Sequence, residues 1–448
     1  MLEFVNKYLI GTSVPLLLIA GGIFFLVKLR GRPVICPILT ARAMLTPSED
    51  SKNGLSPFRS VTMALAGTLG VGNIVGVASA IALGGFGSIF WMWISALAAM
   101  ILKYAEITIS VSHRRKRNGE NHGGAMYYIE DRFEAAGRKG QGRTVGWIFA
   151  ALCLVVAYGV GCMMQVNAVS SSFEGVFGVS PWICGALLAA MTAPVITKGT
   201  RGISALTEWL VPLMSVGYVI MSVVVMIKCR GRLGEAFVGI LTDAFTVKST
   251  AGGILGFLVS DAVRFGTMRG LLSNEAGCGT APFAHAASDA TQPAKQGAWG
   301  IFEVFVDTIL LCTMTALVII LNYDQACAYS DNGIMMTLKA YSASLGVYAE
   351  YFLTAAVLLF AYATVICWAQ YGMECVLYMF KNRKKARVIY YTSFCVAAFL
   401  GAIVAPGAVW ALSDAAMGSM TLINLAVIAA MSTEIKGLTE EYFGRKKR

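Results

Sequence analysis

Apolar residues in this chain come in long continuous runs, not in alternation. Read against the charged breaks, they give eleven helix-length segments, near residues 8–27, 60–82, 86–112, 144–170, 181–197, 203–227, 252–288, 297–321, 348–380, 388–405 and 411–432. Each approaches or exceeds the roughly 20 residues that carry a helix across a bilayer. The lack of period-two alternation argues against a transmembrane β-barrel. The first run is read as a span and not as a cleavable leader. Its leading residues are not basic, Lys28, Arg30 and Arg32 follow it at once, and no small-residue cleavage site closes it. Three connecting segments keep helical periodicity. Met126, Ile129, Phe133 and Ala136 share a face, as do Leu233, Phe237, Ile240 and Phe245, and Ile334, Leu338, Tyr341 and Leu345. They predict helices lying along the membrane surface or acting as gate elements.

Composition agrees. The 448 residues are 57% hydrophobic and 14% charged, against about 45–50% and 25% in soluble proteins. That excludes a cytosolic enzyme, a secreted disulfide scaffold and a disordered chain. The eleven cysteines form no CxxC pair and lie mostly within apolar runs, so they read as small packing residues. The three histidines, His113, His122 and His285, lack metal-ligand spacing. With the N-terminus outside, twenty-seven of the 36 Lys and Arg fall on cytoplasmic segments, six outside, and Lys103, Arg264 and Arg269 within spans. The net charge of +11 is thus a signal of membrane orientation and needs no nucleic acid; the short basic clusters can rest on anionic headgroups.

Two segments carry the chemistry. In 67–76, Gly67, Gly70, Gly72 and Gly76 interrupt a span beside Asn73. One reading is a small-residue packing face. The other is a helix broken at 70–73, exposing amides and carbonyls to a ligand. In 264–283, Arg264, Arg269, Asn274, Glu275, three further glycines after Gly266 and Pro282 interrupt a second span. Charges at membrane depth need partners or water, so Glu275 is expected to pair with Arg269 or Arg264, or the segment to face a cavity. With the first span set aside, the interrupted ones are the first and sixth of ten, the layout of two inverted five-helix repeats. Broken ends offer amides to a carboxylate and carbonyls to a cation, which suits a small zwitterion with a small cation. Gln165 and Asn167 on one span, and Thr364, Trp368 and Gln370 on another, are candidates to complete the pocket. Asp261, Asp307 and Asp414 are open between helix cap, gate ion pair and proton relay.

At these residues the chain resembles the alanine or glycine:cation symporter family. The matching stretches are 67–93, GGAMYYIE (123–130), QVNAVS (165–170), RGLLSNEAGCGTAPFAHAA (269–287), 296–319 and the Thr364–Trp368 region. The resemblance implies an all-α leucine-transporter-like fold, a 5+5 inverted repeat plus one N-terminal helix. The organisation expected is an accessory helix over 1–30, a cytoplasmic linker over 31–59 and a first repeat over 60–230. An extracellular interfacial segment over 231–251, a second repeat over 252–432 and a basic cytoplasmic tail over 433–448 follow. It also implies sodium-coupled import of a small neutral amino acid such as alanine or glycine. Gly70, Val71, Gly72 and Asn73 would hold the carboxylate. Gln165, Phe265, Asn274, Thr364 and Trp368 would line the substrate pocket, and Gly67, Gly70 and Thr364 would lie by the sodium ion. The family's pattern has Thr at Val71, Ser at Ala363, Tyr at Gln370 and Pro at Ala125, with Gly or Ala at Ser88 and Gly at Ala99; the first two departures each remove a hydroxyl. Sodium is the coupling ion expected, with no other cofactor. The partners expected are the amino acid, sodium and lipid, with no nucleic acid and no obligate protein. The location expected is the cell membrane, N-terminus outside and C-terminus cytoplasmic. The alternatives are a proton-coupled carrier or exchanger of another neutral amino acid and, more distantly, a non-transporting amino-acid sensor. No HExxH, GxSxG or metal cluster supports an enzyme.

Overall fold

The computed structural model describes residues 11–35, 55–117, 119–246, 261–381 and 383–445. Its architecture is almost wholly helical, as expected where backbone polar groups must be satisfied within each segment. In chain order the main helices are α1 (Gly11–Lys28), α2 (Pro57–Thr68), α3 (Val75–Gly84), α4 (Gly87–Ser112), α5 (Ala125–Ala135), α6 (Lys139–Phe177), α7 (Pro181–Ile196) and α8 (Gly199–Lys228). They continue with α9 (Leu233–Ala244), α10 (Asp261–Asn274), α11 (Ala281–His285), α12 (Pro293–Leu321), α13 (Gly333–Leu345), α14 (Val347–Phe380), α15 (Lys384–Gly401), α16 (Pro406–Ala430) and α17 (Ser432–Arg445). One hairpin, β1 (Arg115–Arg117) with β2 (Glu120–His122), pairs Arg115 with His122 in the charged loop after α4.

Among the described residues, six helices are long and apolar enough to cross a membrane, and the bent pair α2–α3 makes a seventh. This is fewer than the eleven segments read from hydropathy. Helices α1 and α7 are apolar but short, α15 begins with Lys384, Lys385 and Arg387, and the run expected at 252–288 starts outside the described residues. The three connecting segments form α5, α9 and α13.

The bundle has a buried centre and an apolar exterior. On α8, Trp209 and Leu213 are 79% and 68% exposed; such surface suits lipid. Helices α4 and α14 are buried along most of their length, and they carry polar groups inward: Lys103, Glu106, Thr364 and Trp368 are all buried. Two helices loosen into π turns where they border this centre, α6 at Gly159–Met163 and α12 at Phe305–Cys312. Such turns are frequent at functional sites.

Candidate functional site

Both interrupted segments break. Helix α2 ends at Thr68, Gly70 is extended, Val71–Asn73 makes one 3-10 turn, and α3 leaves at 55° to α2. Gly70 is required by close approach: a Cβ there would lie 2.7 Å from Thr364 Oγ1 and 2.8 Å from Gln165 Oε1. Helix α10 ends at Asn274. The link from Glu275 to Thr280 has left-handed backbone at Glu275, Gly277 and Gly279, with φ of 54°, 83° and 80°. For Glu275 this conformation costs roughly 1–2 kcal/mol, which the surrounding contacts must offset.

Neighbouring helices bind the first break. The Val71 amide donates to Gln165 Oε1 at 3.0 Å, and Gln165 Nε2 donates to the Val160 carbonyl at 3.1 Å, within the π turn of α6. Thr364 Oγ1 donates to the Ala66 carbonyl at 2.9 Å. Beside these contacts α6 and the end of α2 border one small cavity of about 10 Å³, room for roughly one water. Gly67, Thr68, Val71, Gly72, Gln165, Leu272, Glu275 and Trp410 line it, with Val160 and Met164. A wider cavity of about 350 Å³ adjoins it, and Asn167, Ser171, Asp331, Asn332, Pro406 and Trp410 are among its walls.

Helix α4 holds the second break. Lys103 Nζ donates to the Asn274 carbonyl at 2.9 Å and pairs with Glu303 at 3.0 Å. Glu106 Oε1 accepts from the Gly279 amide at 2.9 Å and from Asn424 Nδ2, and Asn424 Nδ2 also reaches the Gly277 carbonyl at 2.9 Å. His285 completes this buried set, its ring between Glu303 and Gln296.

Gly67, Gly70, Val71, Gly72, Gln165 and Thr364 thus come together around the first break. Trp368 stands behind it: a Cβ on Gly161 would lie 2.3 Å from its indole, and its Nε1 is buried. The other three expected residues point elsewhere. Asn73 Nδ2 donates to Asp307 Oδ1 at 2.7 Å, Asn274 Nδ2 donates to Thr308 Oγ1 at 3.1 Å, and Phe265 lies under the Arg264 guanidinium at 4.4 Å. Nor does Glu275 take the arginine partner expected for it. Arg264 pairs with Asp261 at 3.2 Å and Arg269 stacks on Trp410, while Glu275 borders the cavity.

Residues beyond those singled out also matter. Asp307, left open between three roles, receives Asn73 Nδ2, Ser273 Oγ and Thr308 Oγ1, each at 2.7 Å, and Asn73 Oδ1 beside it is buried without a partner. Two oxygen-rich groups therefore suit a hard monovalent cation: the Ala66 carbonyl with the Thr364 hydroxyl, and the Asp307 carboxylate with Asn73 and Ser273. Trp410 and Leu272 carried no sequence signal, since an indole or a leucine in an apolar run looks like ordinary packing.

A helical bundle with two broken helices meeting at one small cavity, and a wider cavity leading away to one face, is the architecture of a secondary transporter. Solved structures share the fold. That of MhsT in complex with L-phenylalanine matches with a TM-score of 0.62 at 14% identity, over 85% of this chain and 90% of that one. The substrate-bound outward-open state of a Na+-coupled sialic acid symporter matches with 0.54 at 12%, over 98% and 87%. The chain belongs to the sodium:alanine symporter family, whose model matches residues 1–448. It is a sodium-coupled secondary transporter of a small neutral amino acid and not an enzyme. It is 33% identical to the sodium/alanine symporter AgcS of Methanococcus maripaludis, over 99% of this chain and 96% of that protein. It is 30% identical to the amino-acid carrier protein AlsT of Bacillus subtilis, over 100% and 91%.

Proposed function

We propose that this transporter imports alanine or glycine with sodium, binding both at the paired breaks. The single observation that carries the reading is the Val71 amide and Gln165 meeting Thr364 around the gap left by Gly70. The Val71 amide, which Gln165 holds at this turn, suits a carboxylate once that side chain yields it, and Glu275 on the same cavity suits an ammonium. The cavity, with room for about one water, has to open to admit even glycine, and its walls Val71, Leu272 and Trp410 favour the shortest side chains. In this reading sodium binds at the Ala66 carbonyl and Thr364 hydroxyl, near Gly67 and Gly70, and the Asp307 group is a second candidate oxygen site.

The layout proposed is eleven spans, an accessory α1 and two inverted repeats over 60–230 and 252–432. The breaks open each repeat, and a surface helix follows the second span of each: α5 before α6, and α13 before α14. The charge bias of twenty-seven cationic residues against six puts the N-terminus outside and the C-terminus in the cytoplasm. The wider cavity, walled by Asp331 and Asn332 of the loop before α13, then opens outward.

One monovalent cation entering is driven by about 2.3 kcal/mol per 100 mV. Proteoliposomes test the reading: alanine or glycine accumulates only under an inward sodium gradient. Uptake that persists in choline and follows a pH gradient instead would transfer the coupling role to a carboxylate such as Glu275.

A further inference from the structure

We propose that Trp410 is the outer gate of the transport path, latched by the guanidinium of Arg269. The proposal rests on two readings of the preceding section, that the wider cavity faces outward and that the small one binds the substrate.

Three residues, Val71, Met164 and Trp410, border both the wide cavity and the small one. Any solute moving between the two passes among them. Val71 is buried and its amide is tied to Gln165, while Met164 is buried on α6. Trp410 is the largest of the three and half-buried, one turn into α16, whose first residues Pro406–Ala408 are exposed. It is the jaw with room to move.

The indole is held from one side. Arg269 Cζ lies 4.6 Å from the Trp410 ring centroid, and Arg269 Nε is buried without a hydrogen-bond partner. A guanidinium at this depth needs a partner, and the indole face supplies one; a desolvated contact of this kind is worth roughly tenfold or more in the balance between latched and free ring. Arg269 belongs to α10, three residues before Leu272 and six before Glu275, both on the small cavity. Latch and binding site therefore ride on one half-helix, so a shift of α10 when the break is occupied carries the latch with it. The gate thereby reports occupancy.

The test needs no knowledge of the substrate. Leu272→Cys places a thiol on the small cavity, and its labelling from outside by a cationic methanethiosulfonate is followed by peptide-resolved mass spectrometry. Adding Trp410→Ala is expected to raise the labelling rate about tenfold, while Trp410→Phe, which keeps a ring, leaves it near the parent rate. Arg269→Gln is expected to raise it as Trp410→Ala does, and Arg269→Lys to raise it less. If Trp410→Ala does not reach the membrane, Trp410→Leu takes its place. Equal rates with and without the indole overturn the gate, and a fast Trp410→Ala beside an unchanged Arg269→Gln overturns the latch. Protection of the same thiol by alanine with sodium is a separate arm. Its failure counts against the assigned substrate and leaves the gate to the labelling rates.

Discussion

Lys103 and Glu106 stand three residues apart on α4, and each meets one side of the break between α10 and α11. The cation is on the Asn274 carbonyl, where the helix ends negative, and the anion is on the Gly279 amide, where free N–H groups gather. One helical turn thus complements both broken ends, and does so where neither charge reaches solvent. Removing one partner of a buried ion pair costs about 3–5 kcal/mol, because the other charge is left alone. Lys103→Met leaves Glu303 with the His285 ring alone and is expected to lower the unfolding temperature in detergent. The double variant Lys103→Met with Glu303→Gln is expected to recover part of that loss. Thermal unfolding of the two side by side checks the pair.

The two central glycines of the first break differ in kind. A Cβ on Gly70 meets Thr364 and Gln165 at under 3 Å, whereas on Gly72 the nearest atom is Ser273 Cα at 3.6 Å, an ordinary contact. Gly70→Ala is expected to reduce sodium-driven uptake at least tenfold, the effect of roughly 1.4 kcal/mol. Gly72→Ala is expected to stay within about twofold of the parent, since little has to move. Uptake rates normalised to surface expression decide between them.

How much of this was legible in the chain follows from what each signal depends on. The breaks were readable because glycine and Asn73 in a span, or Glu275 between glycines, contradict helix and lipid alike. The partners across the bundle were not. Asn73 was expected at the carboxylate, yet its amide turns to Asp307, 234 positions away, and nothing local fixes that rotamer. Glu275 was expected beside an arginine of its own segment. The left-handed backbone there turns the chain after α10, and Lys103, a helix away, serves the Asn274 carbonyl. Trp410 is the extreme case: its role comes from two cavities that no sequence pattern records.

Thr364 links the proposed ion site to α2 through the Ala66 carbonyl at 2.9 Å. In the proposed site its hydroxyl is an ion ligand that Ala363 beside it does not duplicate. Thr364→Ala is expected to raise the sodium concentration for half-maximal uptake about tenfold, in line with one lost ligand of roughly 1.4 kcal/mol. Thr364→Ser is expected to stay near the parent. Sodium titrations of uptake at fixed amino acid check this, and an unchanged sodium dependence in Thr364→Ala would assign the ion to the Asp307 group.

At the charged end of α4, His113 joins two other elements. Its Nδ1 meets Asp131 of α5 at 2.7 Å and its Nε2 meets Glu434 of α17 at 2.9 Å; Arg115 also reaches Asp131. Both ring nitrogens face carboxylates, so the arrangement favours the doubly protonated ring. Burial works against that charge, but the bonds to Asp131 and Glu434 outweigh it and raise the His113 pKa. Partial burial likewise opposes the Asp131 charge, and His113 and Arg115 outweigh it, so its pKa falls. The raised histidine contributes stability that is full below its unfolded value of about 6.5 and is lost as pH rises through the folded value. His113→Gln is therefore expected to lower the unfolding temperature at pH 6 and to have little effect at pH 9. Thermal scans across that range check it.

Trp368 packs its indole directly on Gly161, at the π turn that also frees the Val160 carbonyl for Gln165, and stacks edge-on with Tyr371 at 5.4 Å between centroids. Its position behind the first break is therefore set by α6 and Tyr371. A methyl at 161 would occupy space held by the ring, and overpacking of this kind typically costs about 1–3 kcal/mol. The indole can relieve it only by moving toward the cavity or by shifting α14. Trp368→Phe removes volume from behind the first break. Opposite effects on substrate size are expected: Gly161→Ala narrows the range to glycine, and Trp368→Phe admits larger neutral side chains such as those of valine or threonine. Competition of unlabelled amino acids against labelled alanine uptake reads both, and identical selectivity in the two variants would remove Trp368 from the pocket wall.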